Sequence, residues 1–109
     1  MSNDIPQHYQ QIKTRYPGVI DAVENLGQAV KQAGPLSPAT AQLVQLSAAV
    51  ASRSQGAVHS HIRRALEAGV KAEEIYHCIL LLTSTIGFPA VMAALSWARD
   101  ILPDESISI

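Results

Sequence analysis

The chain has 109 residues, of which 48% are hydrophobic and 16% charged, so the sequence predicts one folded domain rather than a disordered segment. Aromatic residues make up 5%, which predicts a core of helices packed closely through small and aliphatic side chains. Eight basic and nine acidic residues are spread without long runs, which argues against nucleic acid as a partner.

Cysteine usage and hydropathy narrow the class of protein further. The single cysteine, Cys78, excludes an internal disulfide and a Cys-x-x-Cys pair. The first ten residues are polar and lack the basic and then apolar regions of a secretion signal. No apolar run approaches the roughly 18 to 20 residues that a membrane span needs. We therefore expect a cytoplasmic protein with no membrane partner.

Proline and glycine punctuate the first two predicted helices. A short helix over Gln7 to Arg15 should stop before Pro17, because the residue that precedes a proline avoids the helical region. Pro17 suits the first turn of a second helix, which should end at Gly34. Apolar side chains form one stripe along this second helix: Val19, Ala22, Val23, Leu26, Ala29 and Val30.

The third helix has the clearest start, with Ser37 as its N-cap and a proline at the first helical position. We expect the dipeptide Gln55-Gly56 to break or bend the chain, so that a fourth helix runs from about Ala57 to Ala68. Gly69 should close that helix in the left-handed conformation that glycine adopts at little cost.

The fifth helix begins at Ala72 with two glutamates in its first turn, where the helix dipole favours anions, and is expected to continue to Ile86. The segment GFPA then interrupts the chain, and a last helix should run to about Leu102, before a proline. With no sustained strand pattern, the sequence predicts an all-α fold, a small bundle of about six helices in one domain over residues 1–109.

The middle of the fifth helix has almost no polar side, since it contains Ile75, Cys78, Ile79, Leu80, Leu81 and Leu82. A helix that is apolar on every side must be buried on every side, and a bundle of this size can hardly achieve that unaided. We therefore expect self-association through this helix and the last one. The alternative is that it forms the central helix of a monomer.

Three polar side chains, Ser54, His59 and His61, lie close together near the start of the fourth helix. On a continuous helix Ser54 and His61 share one face. His59 and His61 are two positions apart, about 200° around a helix, so they cannot jointly bind a metal ion and no metal site is predicted. A lone histidine on an apolar face is more often a satisfied core residue than a catalyst. Arg64 is either a surface charge or a partner for a substrate carboxylate or a neighbouring subunit.

The segment HSHIRRALEAGVKAEEIYHCILLLTSTIGFPAVMAAL, residues 59–95, resembles the carboxymuconolactone decarboxylase family, which includes the alkyl hydroperoxidase D-like proteins. The matching elements are His-x-x-x-Ala-Leu-x-Ala-Gly, then Glu-Glu-Ile, the apolar helix and Gly-Phe-Pro-Ala. The resemblance covers roughly residues 35–97. It implies an alkyl hydroperoxidase D-like helical bundle that works as a homo-oligomer, commonly a trimer or a hexamer.

Members of this family with peroxidase activity carry Cys-x-x-Cys-x-x-x-His and a glutamate on the preceding helix. On this resemblance His61 matches the histidine, the cysteine positions fall on Ser54 and Ala57, and the glutamate position falls on Gln42. Serine and alanine cannot cycle between thiol and disulfide, and a neutral glutamine cannot act as a carboxylate base. Dithiol peroxidase activity is therefore not expected.

The decarboxylase branch of the family keeps the histidine and removes CO2 from a carboxylated lactone without a metal or organic cofactor. The resemblance implies a cofactor-free enzyme acting on a small cyclic or unsaturated carboxylic acid, with His61 as acid/base. Such chemistry needs a cation or a helix N-terminus for the carboxylate and an acid that protonates the carbanion or enolate. We expect Ser54, His59, Gln42 and Arg64 to bind the substrate. Two alternatives stay open: a non-catalytic ligand-binding or assembly member, and thiol chemistry through Cys78 across a subunit interface.

Overall fold

The structure is a computed structural model and describes residues 6–103. Within this range the chain forms helices and turns and no strand, which confirms the all-α prediction. Six helices have nine residues or more: α1 (Gln7–Arg15), α2 (Pro17–Gln32), α3 (Pro38–Ala51), α4 (Gln55–Glu67), α5 (Ala72–Leu80) and α7 (Phe88–Arg99). Between the last two lies a single turn, α6 (Thr83–Ile86).

The chain divides into two compact units, one ending at Leu36 and the other beginning at Ser37. The first unit contains α1 and α2, linked by two side chains of α1 that meet Glu24 of α2. The hydroxyl of Tyr9 donates to one Glu24 oxygen at 2.5 Å, and Nζ of Lys13 lies 3.1 Å from the other. The predicted apolar stripe of α2 lies away from this contact and is exposed. The single domain expected over residues 1–109 stays a prediction.

The second unit holds the main core. Helix α3 packs along α4, and α7 packs against α4 and α5. The largest fully buried side chains are aliphatic: Leu46, Ile62, Ile75, Ile79, Val50, Val58 and Val91. Small residues that are fully buried, Ala65 on α4 and Ala94 and Ala98 on α7, let the helices approach closely. The core is therefore of the small and aliphatic kind that the composition predicts.

The predicted helix starts at Ser37 and Ala72 agree with the structure. The Ser37 hydroxyl accepts a hydrogen bond from the backbone N–H of Thr40 at 3.1 Å, with Pro38 at the first helical position. A carboxylate oxygen of Glu74 in the first turn of α5 accepts the N–H of Lys71 at 2.8 Å. Each bond satisfies one N–H group that the helix itself leaves without a partner.

The predicted break at Gln55-Gly56 is wrong, because the chain reverses one residue earlier. Arg53 takes the left-handed conformation with φ 57°, and Ser54 is extended, so the dipeptide already forms the first turn of α4. The N–H of Ser54 donates to the carbonyl of Ala49 and that of Arg53 to the carbonyl of Val50. This pattern is a Schellman motif with an arginine where glycine is usual.

Gly69 ends α4 with the same motif. Its φ is 95°, its N–H donates to the carbonyl of Leu66, and the N–H of Val70 donates to the carbonyl of Ala65. The predicted left-handed glycine is confirmed. The C-terminal ends of α3 and α4 are thus closed by the same hydrogen-bonding pattern, with arginine in one and glycine in the other.

The fifth and last helices are shorter than predicted. Helix α5 ends at Leu80 rather than Ile86, since the N–H of Leu82 donates to the carbonyl of Ile79, three residues back, and two turn residues follow the helix. Helix α7 ends at Arg99, and the backbone continues in turns to Leu102.

Replacing Gly69 by alanine should lower the free energy of unfolding by about 1 to 2 kcal/mol, because an L-residue pays that cost in the left-handed region. A Cβ at this position meets no atom within 4 Å, so backbone strain is the sole cause. Arg53 has a positive φ as well, so Arg53→Gly removes this strain and should leave the free energy of unfolding unchanged or raise it. Gly56→Ala, in the first turn of the same helix with equally open surroundings, is the control and should not destabilise. Urea unfolding of the native protein and the three variants measures these free energies. An equal decrease in Gly69→Ala and Gly56→Ala would contradict the prediction.

Candidate active site

The candidate site is built on a hydrogen bond between α3 and α4. Nδ1 of His61 lies 2.9 Å from Oε1 of Gln42. Gln42 is 5% exposed, the single buried polar or charged side chain among residues 6–103, and His61 is half-buried. Burying an amide costs free energy unless its polar atoms are bonded, so this contact accounts for a glutamine in an otherwise apolar core.

The bond fixes which ring nitrogen of His61 carries a proton. An amide oxygen only accepts hydrogen bonds, so Nδ1 must be the donor. In the neutral ring the lone pair then lies on Nε2, which is the atom that gains or loses a proton. Gln42 can accept the Nδ1 hydrogen in both the neutral and the protonated ring, and so holds the ring in one orientation throughout.

Ser54 acts as the N-cap of α4. Its hydroxyl oxygen accepts the backbone N–H of Ala57 at 3.4 Å, and the residue is exposed. At 1.5 Å per residue, Ser54 lies about 10 Å along the helix axis from His61. The structure therefore does not bring the predicted substrate-binding serine beside the histidine.

His59 does not contact the Gln42–His61 pair but bonds to Asp100. Its Nε2 lies 2.9 Å from a carboxylate oxygen of Asp100, which follows the last residue of α7. This contact connects α4 to the end of α7. The structure thus separates His59 from the pair formed by Gln42 and His61, in agreement with the prediction that the two histidines point to nearly opposite sides.

Arg64 lies one helical turn after His61 and is exposed. Residues three apart on a helix are neighbours on its surface, so the guanidinium can reach a group that His61 also contacts. Of the four predicted substrate-binding residues, Gln42 therefore meets His61 directly and Arg64 shares its side of α4.

Two further polar groups were not predicted, one as the partner of His59 and one on the same helix as Gln42. Asp100, the partner of His59, gives no signal in the sequence because it is 41 residues away. Gln45 lies one turn after Gln42, and its side-chain oxygen is buried with no hydrogen-bond partner among the described residues. The spacing of three from Gln42 to Gln45 is visible in the sequence and places both amides on one side of α3.

Cys78 is half-buried on α5, with its sulfur 3.5 Å from the Ser47 hydroxyl and 3.8 Å from the carbonyl of Leu43. These contacts hold the thiol against the backbone of α3. Thiol chemistry through Cys78 stays an untested alternative.

In the part of the chain that the structure describes, no three of the His, Cys, Asp and Glu side chains are grouped so that they could hold a metal ion. None of the helices between residues 6 and 103 combines the length and apolarity that crossing a bilayer requires.

Comparison with known proteins identifies a family. The model of the carboxymuconolactone decarboxylase family matches residues 17–100. This range includes α2 and most of the second unit, and so extends beyond the residues that carry the resemblance in the sequence. Searches of curated proteins and of solved structures gave no match.

A carboxylate in place of the glutamine amide should change the protonation of His61. We expect Gln42→Glu to raise the pKa of His61 by roughly 1 to 3 pH units relative to the native protein, because a carboxylate this close stabilises the imidazolium. NMR titration of the ring carbons measures it. Gln42→Leu, which removes the acceptor and adds no charge, is the matched control and should not raise the pKa. Equal values in all three proteins would contradict the contact.

Proposed function

This chain belongs to the carboxymuconolactone decarboxylase family, and from that premise we propose that it is a cofactor-free enzyme that acts on a small cyclic or unsaturated carboxylic acid, with His61 as the acid/base. The observation that carries the proposal is the bond between Gln42 and His61. It gives a half-buried imidazole a fixed orientation and a defined proton-transfer atom, Nε2. Positioned general acids of this kind contribute about 10² to 10⁴-fold to rates.

The proposed step is a decarboxylation. The bond between the carboxylate carbon and the adjacent ring carbon breaks, CO2 leaves, and the electron pair stays on the ring carbon, delocalised into a conjugated carbonyl as an enolate. The Nε2–H of a protonated His61 then donates its proton to that carbon. The neutral ring takes up a proton from solvent before the next turnover. Gln42 accepts the Nδ1 hydrogen through both stages, so the ring does not have to turn.

Arg64 is the proposed partner of the substrate carboxylate. It lies on the same side of α4 as His61 and is exposed, whereas the first-turn N–H of Ala57 is already bonded to Ser54. The buried oxygen of Gln45 is the proposed acceptor for a substrate hydroxyl or protonated acid, since an unbonded buried acceptor costs about 1 to 3 kcal/mol that a donor would recover. Dithiol peroxidase activity is not proposed, because Ser54 and Ala57 occupy the cysteine positions of the resemblance.

The alternative is a non-catalytic member that binds a ligand or serves assembly. The observation that favours it is the use of Ser54 and His59 in contacts within the fold, one as a helix cap and one with Asp100. In that case His61 supports packing through Gln42 and has no role in turnover.

The two functions differ in what His61→Ala does. We expect a carboxylated lactone, a muconate-like diacid or a cyclic keto acid to stabilise the native protein in a thermal-shift screen, and His61→Ala to lose both that shift and turnover. A ligand at a hundred times its Kd adds about 2.7 kcal/mol to the folded state, which such a screen detects. His77→Ala, which alters an exposed histidine on α5, is the control and should keep both.

Retained turnover in His61→Ala would remove this residue from the mechanism. A variant that melts lower than the native protein while no compound shifts either protein would favour the non-catalytic member.

We also propose that the chain works as a homo-oligomer, a trimer or a hexamer, through α5 and α7. The expectation that α5 is buried on every side is not met within one chain. Ile75 and Ile79 are fully buried, but Leu80 and Leu81 are 48% and 62% exposed, and Phe88 and Met92 at the start of α7 are also exposed. Contact with other subunits would cover these side chains.

A charge at the exposed end of α5 should weaken this assembly. We expect Leu81→Glu to lower the mass measured by light scattering after size-exclusion chromatography, because a carboxylate would be buried unpaired in an apolar interface. Glu73→Gln, at the exposed opposite end of α5, serves as control and should keep the native mass. A native protein that is monomeric, or a Leu81→Glu variant of native mass, would contradict the proposal.

A further inference from the structure

Helix α4 is held by polar side chains on two opposite sides. On one side, Nδ1 of His61 lies 2.9 Å from Oε1 of Gln42 on α3. On the other, Nε2 of His59 lies 2.9 Å from a carboxylate oxygen of Asp100, directly after α7. Residues two positions apart differ by about 200° around the helix axis, so the two bonds pull on α4 in nearly opposite directions.

The bond between His59 and Asp100 has a defined donor. A carboxylate only accepts hydrogen bonds, so the Nε2–H of His59 donates to Asp100. The His59 side chain is 20% exposed and that of Asp100 is 52% exposed, which places the bond at the edge of the core. An ion pair or hydrogen bond in such a position adds little to the free energy of unfolding. It can still fix the rotation of α4 about its own axis, because a hydrogen bond is directional.

The apolar contacts of α4 with α7 are suited to such a role for a directional bond. Helix α7 packs against α4, and three of its four buried side chains are alanines: Ala90, Ala94 and Ala98. Apolar burial has no preferred direction, and alanine methyl groups form low ridges on a helix surface. A small rotation of α4 against α7 therefore loses little apolar contact, whereas it strains the bond between His59 and Asp100.

A small rotation of α4 is enough to disturb the candidate site. Side-chain atoms lie about 5 Å from the axis of a helix, so a rotation of about 20° moves them by about 2 Å. The bond of 2.9 Å between His61 and Gln42 does not survive a shift of that size, because N–H···O bonds extend to about 3.2 Å. The orientation of the His61 ring thus depends on the rotation of the helix that carries it.

We infer that Asp100 is a positioning residue for His61 and acts through His59. The bond at the end of α7 fixes the rotation of α4, and α4 then presents the His61 ring to Gln42. The consequence for turnover rests on the proposed function, in which His61 is the acid/base. A misplacement of about 1 Å can cost a catalyst about 100-fold in rate, so a residue without contact to His61 can still matter to the reaction.

Three variants at the end of α7 test the inference. Asp100→Ala removes the acceptor of the His59 N–H, and Asp100→Asn keeps an acceptor oxygen without the charge. Ser96→Ala is the matched control, because Ser96 lies one turn earlier, is exposed, and donates its hydroxyl hydrogen to the carbonyl of Ala93 in its own helix. Circular dichroism should show native helix content in all three.

The measured quantity is the ratio of the Nδ1–H form to the Nε2–H form of the neutral His61 ring, obtained from its ¹⁵N chemical shifts. The bond to Gln42 favours the Nδ1–H form, and a ring that leaves Gln42 loses this preference. We expect Asp100→Ala to lower the ratio about fivefold, which corresponds to about 1 kcal/mol, the upper value for an exposed ion pair. Asp100→Asn and Ser96→Ala should keep the native ratio.

A native ratio in Asp100→Ala would overturn the inference, as would an equal decrease in Asp100→Asn or in Ser96→Ala. The ratio is measured without substrate, so the result does not depend on turnover. A native ratio in Asp100→Ala refutes the positioning role alone, whereas retained turnover in His61→Ala refutes the enzymatic proposal alone.

Discussion

The hydrogen bond between Gln42 and His61 is the contact on which the candidate site depends. It places two polar side chains in the contact between α3 and α4, with fully buried Leu46 and Ile62 nearby on the same two helices. A slip of α3 along α4 would leave a buried amide without a partner, at a cost of about 1 to 3 kcal/mol. The bond therefore fixes the register of the helix pair and the orientation of the imidazole at once.

Much of the helical framework could be predicted because local signals specify it. Ser37, Pro38 and Pro17 mark helix starts through hydrogen-bond capping and a fixed φ, and Gly69 marks an end through its left-handed conformation. Two helix boundaries were predicted wrongly, the start of α4 and the end of α5. Arg53 takes the left-handed position of a Schellman motif, where glycine is usual, and Gly56 therefore gave a false signal for the turn. Helix α5 ends at Leu80, within an apolar run that gave no stop signal.

The candidate site could be predicted in part, from helical spacing and from the family resemblance. Helical spacing correctly separates His59 from His61, because the geometry of a helix is fixed once the helix is identified. The family resemblance assigned both His61 and Gln42 to one site, but their hydrogen bond was not predicted, since the two residues lie 19 apart on different helices. Asp100 lies 41 residues from His59, and its contact depends on how α7 packs against α4. Contacts between helices are set by tertiary packing, which a single sequence does not display.

An amide rather than a carboxylate lies beside His61, and this bears on the chemistry that the site favours. A buried glutamate there would hold the imidazole in its charged form and could itself exchange a proton, which suits the activation of a thiol. Glutamine accepts the same hydrogen without adding charge, so the ring can release a proton from Nε2 and return to the neutral form. That is the behaviour required of an acid that protonates a carbon once per turnover. Ser54, Ala57 and Gln42 at the positions that the resemblance assigns to the cysteine pair and the glutamate are thus consistent with each other, because a site without a thiol to activate is better served by a neutral acceptor that orients its histidine.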